Sequence, residues 1–251
     1  MKKLKIGIIG VGRLGYEHAC NIANRVPGSE LVAIADANFD RAKQVAEELG
    51  VTAVYNDPKA LCADPNVEAV AIITNTASHV EMIKIAMDAG KHVFCEKPLA
   101  DTVEKCKEAE AIIAAHPELT FMLGFMRRYD HSYQVAKKKM ENGDIGDVIL
   151  VRCYSQDPIS IIEGTLEYAP RSGGQFIDMS IHDFDLIRWL TGSEVKELWA
   201  TGGCYEFKQY KDWDDGDNVS GLMKMENDAM AFFFAGRAAA HGSHVETEIV
   251  G

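Results

Sequence analysis

Lys5-Ile6-Gly7-Ile8-Ile9-Gly10-Val11-Gly12-Arg13-Leu14-Gly15 is the stretch on which the fold turns. Lys5–Val11 is a nearly continuous apolar run, the pattern of a strand covered on both faces. Gly10, Gly12 and Gly15 fit G-x-G-x-x-G, and Leu14–Val26 follows with helical spacing. Between a strand and a helix, these glycines make a dinucleotide fingerprint. Gly10 permits a tight turn, Gly12 lets the backbone approach a pyrophosphate, and Gly15 lets helix and strand pack closely. The helix N-terminus adds N–H donors and a favourable dipole for phosphate. Asp36 lies 21 residues beyond Gly15, at the end of the next apolar run, Leu31–Asp36. A carboxylate there accepts from the ribose 2′-hydroxyl of NAD and repels the extra phosphate of NADP, so NAD is expected and NADP disfavoured. Arg13, inside the loop, either contacts a phosphate or faces solvent.

Outward from this unit, strand and helix signals alternate. Helices are predicted over Arg41–Leu49, stopped by Gly50, over Val80–Ala89, stopped by Gly90, and over Asp101–Ala115, with Asp101 or Thr102 as N-cap. Strands are predicted over Thr52–Tyr55, Val67–Thr74, His92–Glu96 and Thr120–Phe125. The rhythm is that of an α/β Rossmann domain, a doubly wound parallel sheet, reaching to about residue 122.

Past Arg127 the pattern changes. A helix over Tyr133–Met140 leads to a long strand, Val148–Tyr154, and then to a loop over Asp157–Gln175 with no clear period. Phe176–Leu190 carries apolar residues at helical spacing. Val195–Thr201, Val219–Met225, Met230–Gly236 and Val245–Val250 read as strands, with short links such as Asn227-Asp228 suggesting antiparallel hairpins. Residues 123–251 are therefore expected to form an α+β domain with a mostly antiparallel sheet. That sheet is expected to be incomplete at the C-terminus, because Val245–Val250 looks like a strand in mid-sheet. The apolar run Met230–Ala235 is assigned to the core.

Composition narrows the function classes. Of 251 residues, 47% are hydrophobic and 25% charged, an ordinary globular balance. Acidic residues outnumber basic ones 38 to 26, for a net charge of −12, which argues against nucleic acid as a partner. No apolar run is long enough for a membrane span, and Ile6–Val11 is too short and too soon followed by Arg13 and Glu17 for a signal peptide. The six scattered cysteines have no zinc spacing, so no metal is expected, and free thiols fit a cytoplasmic protein.

Two further motifs carry chemistry. Cys95-Glu96-Lys97-Pro98 follows the fifth strand, and ligands of doubly wound sheets sit at the carboxyl ends of strands. A lysine there can stabilise an alkoxide or relay a proton, although Glu96 could equally form a surface salt bridge. Asp178-Met179-Ser180-Ile181-His182 places a carboxylate and an imidazole four residues apart, on one face of a helix. The carboxylate would orient the ring and raise its basicity for taking a proton from an alcohol. The plainer alternatives are a helix-capping Asp178 and a core His182.

Together with the glycine loop, Cys95-Glu96-Lys97-Pro98-Leu99, Gly124-Phe125-Met126-Arg127-Arg128-Tyr129-Asp130, Asp178 through His182, and Asp185-Leu186-Ile187-Arg188-Trp189 resemble the NAD(P)-dependent sugar and polyol dehydrogenases that include inositol 2-dehydrogenase and glucose–fructose oxidoreductase. The resemblance runs over essentially the whole chain, and Phe-Met-Arg-Arg-Tyr-Asp is similar to the inositol branch. It implies oxidation of an inositol ring hydroxyl by Lys97, Asp178 and His182, with the substrate between the domains. It implies cofactor contacts from Gly10, Gly12, Arg13, Leu14, Gly15, Asp36, Thr74, Asn75, Glu96 and Lys97. Substrate contacts would come from Lys97, Arg127, Ser155, Asp157, Asp178, His182 and His241. Asp157 stands where inositol enzymes commonly carry Asn, Ser155 where the myo-inositol enzymes often carry His, and His241 near a Tyr. These departures suggest scyllo-inositol or another stereoisomer. Other sugars (glucose, xylose, an anhydrosugar) and a non-catalytic NAD- and sugar-sensing regulator remain the alternatives. The resemblance further implies a cis Lys97–Pro98 bond, a dimer or tetramer formed through the open sheet face, and a chain shortened at its C-terminal end.

Overall fold

The structure is a computed structural model that describes residues 2–251. The residues fall into two compact units, one ending at Gly124 and the other spanning Phe125–Gly251. In the first unit, strands β1 (Leu4–Ile9), β2 (Ser29–Ala35), β3 (Ala53–Tyr55), β4 (Ala69–Ile72), β5 (His92–Cys95) and β6 (Phe121–Leu123) form one sheet in the order β3-β2-β1-β4-β5-β6. Every pairing is parallel. Helices α1 (Arg13–Asn24), α2 (Phe39–Leu49), α3 (Pro58–Ala63), α4 (His79–Asp88) and α5 (Val103–Ala114) connect the strands. This is the Rossmann order, with the direction of winding reversing beside β1.

The apolar strands are explained by burial on both faces. Ile9, Ile72 and Val93 pack with Leu61, Ile83, Met87 and Ala109 of α3, α4 and α5. The neighbouring Ile8, Ile34 and Ala71 point the other way and pack with Ala19, Ala42 and Val45 of α1 and α2. Thr102, not Asp101, caps α5, accepting from Lys105 N at 3.3 Å. Helix α3 is absent from the sequence reading: six residues are too few to show a period, yet Asp57 caps it and Pro58 opens it, a recognisable start signal.

The second unit contains α6 (His131–Glu141), β7 (Leu150–Pro158), α7 (Ile162–Tyr168), α8 (Gln175–Asp178), α9 (Ile181–Thr191), β8 (Val195–Gly203), β9 (Asn218–Met225), β10 (Met230–Ala239) and β11 (His244–Val250). Its sheet runs β11-β7-β10-β9-β8. Three pairings are antiparallel, while β7 and β10, at the centre, are parallel. The β9–β10 hairpin turns through Asn227-Asp228, with Asp228 at φ +66°. The stretch expected as an unstructured loop is ordered into the end of β7, a 3-10 turn, α7 and a second 3-10 turn.

Two further expectations are corrected. Phe176–Leu190 is not one helix: α8 ends at Asp178 and α9 starts at Ile181. Both Met179 N and Ser180 N donate to Gln175 O at 3.0 Å, so one residue slips in the hydrogen-bond ladder and the helix breaks. The Met230–Ala235 run is also not all core. Ala231, Phe233 and Ala235 are buried, whereas Met230 is exposed and Phe232 and Phe234 are half-buried on the other face.

Phe233 anchors the second core, meeting Phe184 edge-on at 4.9 Å and Phe176 at 6.0 Å between ring centroids. The six cysteines are free thiols. Burial pushes Cys62 up to about 11 and Cys153 up to about 12, and raises Cys95 as well. Among the described residues, no helix is long and apolar enough to cross a membrane.

Phe233→Ala is expected to lower unfolding stability by about 3–5 kcal/mol in urea titration, the cost of an emptied aromatic site. Phe232→Ala, one residue along and on the other face, should lose markedly less.

Candidate active site

The turn after β1 is set by contacts that only glycine allows. Gly10 has φ +91° and donates to Ala35 O at 2.8 Å; a Cβ on it would stand 2.5 Å from Ile73 O. A Cβ on Gly15 would overlap the carbonyl oxygen of Gly10. Gly12 is exposed, with open space where its Cβ would be, and no side chain caps α1. Arg13 and Leu14 are exposed in the first turn of α1. The Asp36 carboxylate is fixed at both oxygens: Oδ2 accepts from Val11 N and Oδ1 from Asn38 N, each at 2.8 Å. A cavity of about 410 Å³ is lined by Gly10, Gly12, Asp36, Thr74, Asn75 and Ser78 among others. An uncapped helix start, an unobstructed glycine and an oriented carboxylate fit a dinucleotide's pyrophosphate and ribose.

At the carboxyl end of β5, Glu96 is half-buried and pairs with a histidine of α1. Its Oε1 meets His18 Nε2 of α1 at 2.9 Å, and its Oε2 accepts from Lys97 N at 3.1 Å. Glu96 thus ties the cofactor helix to the backbone of Lys97. The Lys97–Pro98 peptide bond is cis. His79, missed by the sequence reading, holds Pro98 O at 2.8 Å through Nδ1, while its Nε2 lies 3.3 Å from Thr74 O. Burial pushes its pKa down, against the pull of these carbonyls. His79 therefore links the Lys97 loop to the Thr74 loop at the cavity wall. Its signal in the sequence was only its place at the start of a helix that follows a strand end.

In the second unit, Asp178 ends α8 and His182 lies in the first turn of α9. The two residues are not on one continuous helical face, because the slip at Met179–Ser180 separates them. The His182 ring is half-buried and meets Phe125 edge-on, 6.4 Å between centroids. Asp178 Oδ2 accepts from Arg237 Nη2 at 2.9 Å, and Asp157 Oδ2 lies 3.8 Å from Arg237 Nη1. The structure therefore brings Asp157 and Asp178 together around an arginine that the sequence reading did not single out.

Arg127 and Ser155 form a buried network with Asp183, the residue next to His182. Arg127 Nη1 donates to Asp183 Oδ1 at 2.6 Å and Nη2 to Ser155 Oγ at 2.8 Å; Ser155 Oγ donates to Asp183 Oδ1 at 2.7 Å. All three residues are buried. Burial pushes the Asp183 carboxyl above its ordinary value of 3.8, while Arg127 and Ser155 pull it back. His241 is exposed in the turn after β10, with its ring 5.5 Å from that of His244. Among the described residues, no group of three or more His, Cys, Asp or Glu is placed to hold a metal ion.

Comparison with known proteins gives the same frame. Residues 4–125 match an oxidoreductase family model with an NAD-binding Rossmann fold, and residues 133–251 match the GFO/IDH/MocA C-terminal domain. The chain is 36% identical to a myo-inositol 2-dehydrogenase of Thermotoga maritima over 99% of its own length and 73% of that protein's. It is 34% identical to an NAD-dependent scyllo-inositol 2-dehydrogenase of Bacillus subtilis over 99% of its length and 72% of that protein's. The crystal structure of scyllo-inositol dehydrogenase from Lactobacillus casei with bound NAD(H) and scyllo-inositol superimposes with a TM-score of 0.94 at 42% identity, covering 100% of this chain and 74% of that one. The chain belongs to the GFO/IDH/MocA family of NAD-dependent oxidoreductases.

The Arg127–Asp183 pair makes a pH-dependent prediction. Asp183 has a folded-state pKa above its unfolded one, so between the two values the native state holds more protons than the unfolded state. That contribution is full below about 3.8 and is lost as pH rises through the folded value. Arg127→Ala removes the charge that limits this rise. Its stability deficit, read by urea unfolding, should grow as pH rises, reaching about 3–5 kcal/mol where Asp183 must ionise without its arginine. A deficit that does not change with pH would contradict the assignment.

Proposed function

We propose that this chain oxidises a ring hydroxyl of an inositol to the corresponding ketone, with NAD as hydride acceptor. What supports this reading best is the combination, in one chain, of Lys97 at a strand end beside the dinucleotide crevice and of an Asp178–His182 pair in the second unit. The same family includes relatives named as myo- and scyllo-inositol dehydrogenases.

In the proposed reaction His182 takes the proton of the reacting hydroxyl as general base. Asp178 orients the imidazole and stabilises its charged form. Lys97 holds the same hydroxyl oxygen and stabilises the alkoxide that develops there. NAD, when bound, supplies the acceptor for the hydride that leaves the carbinol carbon. The products are the keto-inositol, NADH and a proton, so atoms and electrons balance. Gly10, Gly12 and Gly15, with Arg13, Leu14, Asp36, Thr74, Asn75 and Glu96, make up the cofactor set of this proposal. Asp157 and His241 contact substrate in it, while Arg127 and Ser155 shape the pocket through Asp183.

The reading extends to assembly and compartment. Trp199 stands opposite Leu222, and Leu222 opposite Phe232, across β8, β9 and β10. Trp199 is 63% exposed and Leu222 56%, so this sheet face offers a hydrophobic surface on which copies could pair as a dimer or tetramer. The free thiols suit a reducing cytoplasm.

A panel of myo-inositol, scyllo-inositol, glucose and xylose, followed by NADH absorbance, tests the function. Turnover is expected with an inositol, and the ratio between the two isomers gives the preference. Lys97→Ala and His182→Ala should each lower kcat by about 100-fold or more, with NAD affinity kept, since each removes a proton-handling or charge-stabilising group. NAD binding without turnover of any panel member would favour another polyol or a regulatory role. Asp36→Ala should weaken NAD binding by about ten- to a hundredfold, the worth of hydrogen bonds to a charged group, and erase discrimination against NADP.

A further inference from the structure

Inward-facing positions of β10 read Ala231, Phe233, Ala235 and then Arg237. A fourth apolar residue would continue the core; instead a guanidinium is buried to 3% exposure. It sits where β10 carries one residue more than β7, with Gly236 opposite Gln156 and Ala239 opposite Pro158. Bulges of this kind recur beside functional sites, where they aim a side chain. Arg237 N donates to Asp217 O at 3.0 Å, which pins the bulge to the start of β9.

Two carboxylates from two different elements face the guanidinium, and a buried tyrosine shares its surroundings. Asp178 of α8 accepts from Nη2 at 2.9 Å, Asp157 of β7 stands 3.8 Å from Nη1, and the buried Tyr210 from the 3-10 segment Lys208–Trp213 feels its charge. A buried ion pair is a weak source of stability, and an apolar side chain of similar volume often serves a core as well or better. The planar guanidinium does something an apolar residue cannot: it hydrogen-bonds Asp178 in a fixed direction while its charge stands within ion-pair range of Asp157. Holding Oδ2 of Asp178 sets the rotation of that carboxylate, and so the direction of Oδ1, next to the helix break that leads to His182.

We propose that Arg237 is a positioning residue, a single buried guanidinium that orients Asp178 for its work on His182 and draws Asp157 towards the same charge. The proposal rests on the reading of Asp178 as the partner of the catalytic base. It makes the bulge in β10 part of the reactive geometry, although Arg237 itself acts only through Asp178 and Asp157.

The test uses the full chain with Arg237→Lys, Arg237→Gln and Arg237→Ala. Melting is followed by circular dichroism, NAD binding by fluorescence, and inositol oxidation at steady state, the Ala variant being assayed with and without millimolar guanidinium. A crystal structure of the Gln variant locates Asp178, with the Lys variant as its substitute. Loss of orientation should cost kcat about 100-fold in the Gln and Ala variants with NAD affinity unchanged, while Lys, which keeps the charge but not the fork, loses about tenfold. Guanidinium should return at least about tenfold to the Ala variant, which a role confined to stability would not allow. A folded Gln variant with wild-type kcat overturns the proposal. So does a Lys variant as poor as Gln together with no response to guanidinium. If Gln and Ala do not fold, the Lys variant decides: reduced kcat with Asp178 displaced supports the proposal, and wild-type kcat with Asp178 in place refutes it. If the wild-type chain turns over no polyol, the functional reading has failed, and the crystal structure then decides: Asp178 rotated supports positioning, Asp178 unmoved overturns it.

Discussion

The carbonyl oxygen of Gly10 occupies the place a side chain at position 15 would need, and the carbonyl oxygen of Ile73 the place of one at position 10. At this point β1, β4 and α1 approach so closely that no Cβ fits. The rest of the first unit follows from that meeting. Because the helix starts hard against the strand end, its first turn faces outward without a capping side chain. Because β2 and β4 flank β1, the crevice opens at the reversal of winding. Asp36 reaches back to Val11 N, so the carboxylate belongs to the turn and to the second strand at once.

In the second unit, buried charge fixes the segment that carries the candidate site. Two guanidiniums grip the two ends of one short segment. Arg237 holds Asp178 before the helix break, and Arg127 holds Asp183 after it. His182 lies inside the span they bracket. A slipped hydrogen-bond ladder would ordinarily be a soft spot. Here each end is tied to an arginine buried in the unit, which suits a segment whose side chains must keep fixed directions.

How much of this was legible in the sequence depended on the range of the cause. The parallel sheet showed because strands covered on both faces must be apolar throughout, as with Ile8 and Ile9. The nucleotide turn showed because its glycines answer to local backbone geometry. Helix α3 escaped because six residues display no period, although Asp57 and Pro58 announced it. The break at Met179–Ser180 escaped because apolar spacing continues across it from Ile177 to Ile181; a one-residue slip leaves no mark in hydrophobicity. Arg237 escaped for a different reason. Its partners, Asp178 and Asp157, are distant in sequence, and the only local sign was a charge at the inward position of an apolar strand. Arg127 was visible as a motif, but its burial with Ser155 and Asp183 depends on three segments meeting and cannot be read from any one of them.

The parallel pairing of β7 with β10 also sets an order of events in folding. The first unit has all six of its strands once the chain has passed Leu123. In the second, β7 has only two neighbours, β10 and β11, and both lie after it, with residues 159–229 intervening before the first. β9 and β10 close through a short turn and β8 meets β9 across residues 204–217, whereas β7 waits for a much longer loop to close before either of its edges is satisfied. On a ribosome the first unit would be complete while Val151, Cys153 and the rest of the inward row of β7 still lacked a sheet.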